Sequence, residues 1–201
     1  MSATIDGPDG KPRCTWCAVT PEYLHYHDNE WGYPVKDDQR LFEKISLEGF
    51  QAGLSWRTIL AKRENFRDAF QHFDFTQVAR FNARDVERLL KNEGIVRHRG
   101  KIEAVINNAQ RAGELVAKEG SLAAFIWRYE PTTKIAVPQT ASTSPESIAL
   151  SKDLKKMGWK FVGPTTVYAF MQAMGLLNDH AEGCVIRAKV DSARKKFKRP
   201  L

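Results

Sequence analysis

The chain has 201 residues, a formal net charge of +7 and three cysteines. This length suffices for one domain with a full core, or for two small lobes that share a cleft. We find no stretch that reads as a membrane span and no N-terminal leader pattern, and three cysteines cannot form a closed disulfide framework. These features predict a cytoplasmic protein with reduced thiols and no membrane partner.

Most of the positive charge lies at the end of the chain. Residues 187–201 carry seven lysines and arginines against one aspartate, a local charge of +6, so the remainder is nearly neutral. Such a run is typical of a solvated, disordered tail and less often forms an arm that attracts phosphates. We therefore predict a flexible N-terminus at 1–12, a main domain at 13–187 and a basic tail at 188–201.

Apolar residues recur at helical spacing almost everywhere, which predicts an all-α fold. Only Lys134 to Val137 indicates an extended strand. Capping and stop residues predict where helices begin and end. The predicted helix starts, in chain order, are Asp37 or Asp38, Ser55, Asn82, about Arg99, Ser144 and the Gly163 region. Residues 130–146 hold three prolines and six serines or threonines, which indicates a surface loop between two lobes.

Four soft metal ligands lie near the two ends of the chain: Cys14, His27, His180 and Cys184. Zinc favours a tetrahedral shell of thiolates and imidazoles, so one ion held by all four would join the termini. The spacing of His180 and Cys184 fits one helical turn or a tight loop. The same residues are equally compatible with surface histidines and with cysteines buried as small hydrophobic side chains.

Cys17 leaves a further alternative, because Cys14 and Cys17 form a Cys-x2-Cys pair that could supply both thiolates or act in redox chemistry. A redox pair normally follows a strand of a βαβ unit, and no such pattern surrounds Cys14. Redox chemistry is therefore the least favoured of these interpretations.

Glu48 is predicted to lie on the wrong side of its helix. It follows Leu41 and Ile45 at helical spacing, so it projects from the apolar stripe that should face the core. A buried carboxylate is costly unless it is paired or used, although the helix could also end here and leave Glu48 solvated. Gln51 and Trp56 follow closely, and a carboxylate, an amide and an indole together suit a flat, nitrogen-rich ring.

Four motifs carry a resemblance to a known family. They are YHDNEWG at 26–32, LEGFQAGLSW at 47–56, FVG at 161–163 and NDH at 178–180. Over roughly residues 13–187 the chain resembles the bacterial DNA-3-methyladenine glycosylase I family, within the helix-hairpin-helix base-excision glycosylases. The resemblance implies a DNA glycosylase domain at 13–187, with a two-lobed helical fold and a helix-hairpin-helix motif.

The resemblance also implies roles for particular residues. Glu48 and Tyr26 would hydrogen-bond the flipped base, while Trp56 and Trp16 would stack against it. Gln51, from its place between Glu48 and Trp56, is a further candidate base-binding residue. One structural Zn²⁺ would be held by the four ligands near the chain ends, with Cys17 outside the shell.

The segment around Gly163 has an apolar lead, a glycine turn and a helix N-terminus, which together suit phosphate binding through backbone amides. Lys160 and Thr165 would lie at the same DNA contact, and Leu54 is a candidate wedge for the opened base step. Thr165 stands where strand-cleaving members of the superfamily carry a lysine, so lyase activity is not expected.

The expected function is excision of 3-methyladenine from alkylated double-stranded DNA by a monomeric enzyme. Two alternatives remain open on the sequence. One is a non-enzymatic, zinc-stapled DNA-binding module, which leaves Glu48 on an apolar face unexplained. The other is a catalytic zinc hydrolase in which one of the four candidate ligands does not bind the metal.

Overall fold

A computed structural model describes residues 3–132 and 137–200 of the chain. This part of the chain is mainly helical. The helices are α1 (Pro21–Asn29), α2 (Asp38–Gln51), α3 (Trp56–Ala61), α4 (Arg63–Ala69), α5 (Phe75–Val78), α6 (Ala83–Leu90), α7 (Arg99–Glu119), α8 (Leu122–Ile126), α9 (Pro145–Lys156), α10 (Pro164–Ala173) and α11 (Val185–Lys196). Two short strands, β1 (Thr4–Asp6) and β2 (Pro12–Cys14), pair antiparallel. Among the helices described here, none is long and apolar enough to cross a membrane.

The predicted helix starts are confirmed, and side chains cap the first turns of all of these helices except α10. Asp37 accepts a hydrogen bond from the Arg40 amide at 2.8 Å, and Ser55, Asn82 and Ser144 cap α3, α6 and α9 in the same way. Each cap satisfies an amide that has no partner within its own helix. These starts are therefore determined by residues that are close in sequence.

Four helices were not predicted, namely α1, the short α5 and α8, and α11, and α3 and α4 were predicted as one helix. The first, α1, begins with a Thr20 cap and a proline at its first position, which are ordinary start signals that its many polar residues obscure. The last, α11, covers residues that we expected to form a disordered tail. That expectation is wrong for this stretch, because Ile186 and Val190 are buried and anchor the helix despite its surface charge.

Side chains at the end of α11 and after it also hold the C-terminal residues against the rest of the protein. The ring of Phe197 packs on Trp127 with 4.4 Å between centroids, and Arg194 and Arg199 both pair with Glu130. The predicted boundary between 187 and 188 thus falls inside a helix. At the other end, β1 and β2 form a hairpin that starts inside the region predicted to be flexible and extends past it to Cys14. The division into three segments and two lobes otherwise stays a prediction.

The 130–146 loop is described except at residues 133–136. Most of the strand predicted at 134–137 lies outside the described residues, and Val137 itself is an exposed bend. Asp179 fastens the following residues to α10, since its carboxylate accepts hydrogen bonds from the Gln139 amide at 2.8 Å and from Gln172 at 2.6 Å. This supports a structural role for Asp179.

Helix α2 forms the centre of the fold. All ten residues from Leu41 to Phe50 are buried, and the helix packs against α3, α7, α8 and α10. A helix that is buried on all sides needs an apolar surface all round. The charged residues that α2 nevertheless carries therefore need partners inside the protein.

Candidate functional site

Glu48 lies inside the protein near the end of α2. The helix continues to Gln51, and Glu48 is only 5% exposed, so the alternative of a solvated acid at a helix end is wrong. A buried carboxylate requires hydrogen bonds or a charged partner. Here the partner is Lys44, one turn earlier on the same helix, with 2.8 Å between Nζ and Oε1.

Lys44 places its ammonium in the middle of an aromatic pocket. Its Nζ donates to the hydroxyl of Tyr26 at 2.8 Å and lies 3.1 Å from the ring centroid of Trp56. The rings of Tyr26 and Trp56 are themselves 5.4 Å apart. Burial lowers the pKa of Lys44 to about 8, although the nearby charge of Glu48 opposes that shift. Burial also raises the pKa of Tyr26, so its hydroxyl stays protonated at neutral pH.

Ion pairs surround this pocket. Glu30 forms a two-pronged pair with Arg63, at 2.6 and 2.9 Å, and Glu43 on α2 pairs with Arg67 at 2.7 Å. Such bidentate pairs fix the geometry of both side chains. They hold α1, α2 and α4 together around the Tyr26 and Trp56 rings.

A group of candidate metal ligands lies beside α1. The ligand atoms of Cys14, His27 and Cys184 are all within 4.8 Å of one another, and all three residues are buried. The contact between the two thiols lowers the pKa of Cys184 and raises that of Cys14. A lowered pKa favours the thiolate, which is the form of cysteine that binds metals. This cluster joins β2, α1 and the start of α11.

His180 lies beside this cluster and offers a second imidazole as a fourth candidate ligand. Its ring lies 4.9 Å from that of His27, and its buried Nε2 has no hydrogen-bond partner among the described residues. Burial lowers the pKa of His180 to about 4, so the ring is neutral at pH 7. A buried, neutral nitrogen without a partner beside two thiols fits a metal ion. The alternative of surface histidines is wrong, because both rings are fully buried.

Neighbouring residues orient both imidazoles. Nδ1 of His27 lies 2.7 Å from Asp28, and Nδ1 of His180 lies 2.8 Å from the side-chain oxygen of Asn178. These contacts occupy Nδ1 of both rings, which leaves Nε2 as the free nitrogen, and Nε2 of His27 lies 3.6 Å from the Cys184 sulfur. Asp28 is in turn held by Arg13, whose Nη2 donates to it at 3.0 Å.

Gly32 lies in the turn after α1, and its surroundings explain why this position is a glycine. Its φ is +86°, and a Cβ at this position would lie 2.8 Å from Cε1 of His180. Any side chain would therefore push His180 away from the cluster.

Cys17 lies next to the cluster in a different setting. It is buried, and its thiol donates to the carbonyl oxygen of Cys14 at 3.1 Å. The grouping of three ligand atoms does not include its sulfur. Cys14, Cys17 and Cys184 are all free cysteines.

Trp16 and Gln51, the other predicted base-binding residues, are not among the residues that contact the Lys44 ammonium. Trp16 packs against Tyr23, His27 and Trp31, with centroids 5.0 to 5.2 Å apart, so its ring contacts are on the side of the metal ligands. Gln51 is half-buried at the end of α2, and its carbonyl oxygen accepts from the Leu54 amide at 2.6 Å. Their roles toward a base stay predictions.

The predicted DNA-contacting residues lie on two loops that meet near the end of α2. Leu54 and Phe161 are 43% and 40% exposed, and the side chain of Phe161 adjoins Gly49, the residue after Glu48. Gly163 caps α10, and Thr165 is exposed in the first turn of that helix. Lys160 is also exposed.

Two side chains fix these loops. Asn108 on α7 holds Lys160 through a pair of 2.8 Å hydrogen bonds to its amide and its carbonyl oxygen. Lys101, also on α7, donates to the carbonyl oxygens of Phe50 and Ala52 at 2.9 and 2.6 Å. These are carbonyl groups at the end of α2, where partners within the helix are lacking.

Sequence reasoning missed Lys44, Lys101 and Asp28. Lys44 had a detectable signal, since it lies four residues before Glu48 and opposite charges at this spacing face each other on a helix. Lys101 gave no comparable signal, because the carbonyl groups that it contacts are distant in sequence. Asp28 gave none either, because the sequence indicated its neighbour His27 as a metal ligand but not a carboxylate that orients the ring.

In this helical protein a carboxylate, a phenol and an indole face converge on the buried ammonium of Lys44, and groups of this kind can recognise a flat, positively charged ring. Comparisons with known proteins identify the family. The model of the methyladenine glycosylase family matches residues 16–188 of the chain. The chain belongs to this family.

Individual relatives are similar over nearly their whole length. DNA-3-methyladenine glycosylase 1 of Escherichia coli (strain K12) is 49% identical over 180 residues, covering 86% of this chain and 95% of the relative. The Haemophilus influenzae DNA-3-methyladenine glycosylase is 46% identical over 177 residues, covering 86% of this chain and 96% of the relative. The Staphylococcus aureus enzyme, in a structure that addresses 3-methyladenine recognition, superposes with a TM-score of 0.82 at 38% identity, over 87% of this chain and 96% of the other.

Proposed function

We propose that this protein is a monofunctional DNA glycosylase that flips 3-methyladenine out of alkylated double-stranded DNA and hydrolyses its bond to the sugar. The observation that carries this proposal is the buried carboxylate of Glu48 beside Tyr26 and Trp56. Names and structures of the relatives support the same substrate. A monomeric state and a cytoplasmic location stay predictions.

The lesion itself supplies much of the chemistry. Adenine methylated at N3 is a cation in DNA, so its glycosidic bond is already weak and the departing base needs no strong acid. Extruding a base costs a few kcal/mol, and a poorly paired base costs less. The enzyme therefore needs mainly to recognise the base and to admit water to the sugar.

Glu48 and Trp56 provide that recognition. The carboxylate attracts the cationic ring and accepts from its exocyclic amine, and the indole face adds an attraction of about 0.5 to 2 kcal/mol. Tyr26 offers a hydroxyl to the edge of the ring, and Trp16 and Gln51 would complete the pocket. Normal adenine lacks the positive charge, so it gains less from the same contacts.

The two loops at the end of α2 provide the DNA contact. Leu54 would fill the opened base step, because an apolar wedge can replace a flipped base in the stack. The exposed N-terminus of α10 at Gly163, with Thr165 and Lys160, would bind a phosphate through amides and positive charge. Helices α9 and α10 would then form the helix-hairpin-helix motif.

The metal group would hold one structural Zn²⁺ through Cys14, His27, His180 and Cys184. The unpartnered Nε2 of His180 supports this fit. When bound, the ion would link the two ends of the chain, and four protein ligands leave no position for a water molecule. Tyr26 and His27 are neighbours on α1, so the cluster also fixes the tyrosine that faces the pocket.

Base release from methylated duplex DNA tests the proposed function directly. The wild-type protein should release 3-methyladenine and leave the strand intact, whereas a DNA-binding module would release no base. Glu48→Gln should weaken binding of 3-methyladenine more than binding of undamaged duplex. Glu43→Gln is the matched control, because it alters another buried, ion-paired carboxylate of α2. Equal losses on both ligands would contradict the assignment of Glu48.

A further inference from the structure

The Lys44 ammonium has partners on every side. Its three N–H groups face the Glu48 carboxylate at 2.8 Å, the Tyr26 hydroxyl at 2.8 Å and the face of Trp56 at 3.1 Å. The side chain of Lys44 is 7% exposed. These partners present a negative charge, a polar hydroxyl and an aromatic face, which are the features that recognise a cationic ring.

The pocket has no room for a base while Lys44 adopts this position. The remaining cavity beside Tyr26, Lys44, Trp56 and Met174 measures about 10 Å³. That volume holds about one water molecule. A purine must therefore displace the ammonium before it can contact Glu48 and Trp56.

The charge of Lys44 affects cationic and neutral bases differently. Lys44 neutralises Glu48, so the pocket as built attracts a cation much less than a lone buried carboxylate would. After displacement the ammonium remains attached to α2, one turn from Glu48. It then repels a positively charged base but not a neutral one.

We propose that Lys44 is a specificity-determining residue: its ammonium fills the base pocket, a flipped base binds only by displacing it, and it weakens the preference for cationic bases. This inference rests on the proposed function, since it concerns the same pocket. It assigns to Lys44 a role opposite to that of Glu48. Lys44 contacts the same groups as the base and competes with it.

Binding of two matched ligands tests the proposal. The neutral ligand is 9-methyladenine, and the cationic one is 3,9-dimethyladeninium, which has the same ring and a permanent charge. Titration calorimetry gives the Kd of each for the wild-type protein, Lys44→Met, Lys44→Arg and the control Lys118→Met. Lys118 is 77% exposed, so its substitution removes one charge from the surface only.

The expected result is tighter binding of both ligands by Lys44→Met, with a gain of about tenfold or more for the cation and a smaller one for the neutral ring. Lys44→Arg should bind the cation no more tightly than the wild type, and Lys118→Met should match the wild type. Equal gains for both ligands, or cation binding unchanged or weakened in a folded Lys44→Met protein, would overturn the proposal.

A second measurement does not depend on any variant. In a crystal of the wild-type protein with 3-methyladenine in the pocket, Nζ of Lys44 should have left the face of Trp56. A bound base with the ammonium still against that face would contradict displacement. If the wild-type protein releases no base from methylated DNA, the proposed function fails. If it releases base but Lys44→Met binds no better, only this inference fails.

Discussion

Lys101 reaches from α7 to the end of α2, where its Nζ donates to the Ala52 carbonyl oxygen at 2.6 Å. The loop that carries Leu54 starts at this point, and the contact joins residues 49 positions apart in the chain. A hydrogen bond from an ammonium to a carbonyl oxygen contributes more than a neutral hydrogen bond does. Lys101 therefore anchors the predicted DNA wedge to the longest described helix.

Lys101→Met should loosen this loop. We expect a loss of about 1.5 to 3 kcal/mol in the free energy of unfolding, because the carbonyl groups of Phe50 and Ala52 lose a charged partner. Base release from duplex DNA should fall more than affinity for free 3-methyladenine, since the wedge acts only on DNA. Lys62→Met is the control, because Lys62 donates to the Glu93 carbonyl oxygen away from the loop. Equal losses on both ligands would contradict a role in wedge placement.

The buried pair of Lys44 and Glu48 should show strong coupling in stability. Glu48→Leu leaves the ammonium of Lys44 buried without its counterion, and removing one partner of such a pair typically costs about 3 to 5 kcal/mol. The double variant Lys44→Met with Glu48→Leu should lose less than the sum of the two single variants. Urea denaturation of all four proteins measures this, and additivity within about 0.5 kcal/mol would show that the pair does not interact.

Removing the metal should unfold the protein and should not merely inactivate it. A structural site contributes binding free energy to folding, so a chelator should lower the melting temperature and Cys184→Ala should do the same. Cys17→Ala should keep one metal ion per chain, since Cys17 lies outside the proposed shell. If a chelator abolished base release and left the melting curve unchanged, the structural role would be wrong.

Asp28→Asn should weaken metal binding without removing a ligand. Asp28 lies 2.7 Å from Nδ1 of His27 and thereby directs Nε2 toward the sulfurs. Loss of such a supporting carboxylate typically lowers metal affinity about 10- to 100-fold. Competition with a coloured chelator measures the change. Asp9→Asn is a matched control, because Asp9 also pairs with Arg13 but is more exposed. If both variants lost metal affinity equally, the loss would come from the shared partner Arg13 and not from the contact between Asp28 and His27.

The sequence by itself determined the helical class, most helix starts and the position of Glu48 on the apolar stripe of its helix. Caps such as Asp37 and Ser144 act on amides two or three residues away, and an apolar stripe depends only on helical spacing, so both can be recognised without a fold. The family motifs added the expected site residues. The metal ligands were named from residue type, although their convergence was one of two open alternatives.

Only the tertiary structure decided what surrounds those residues. The 2.8 Å contacts of Lys44 with Glu48 and Tyr26, and the unpartnered Nε2 of His180, depend on how α1, α2 and the chain end pack together. The helix α11 forms although its sequence is strongly charged, because Ile186 and Val190 find a buried surface supplied by distant residues. Burial and long-range hydrogen bonds arise from packing, and local sequence signals do not encode them.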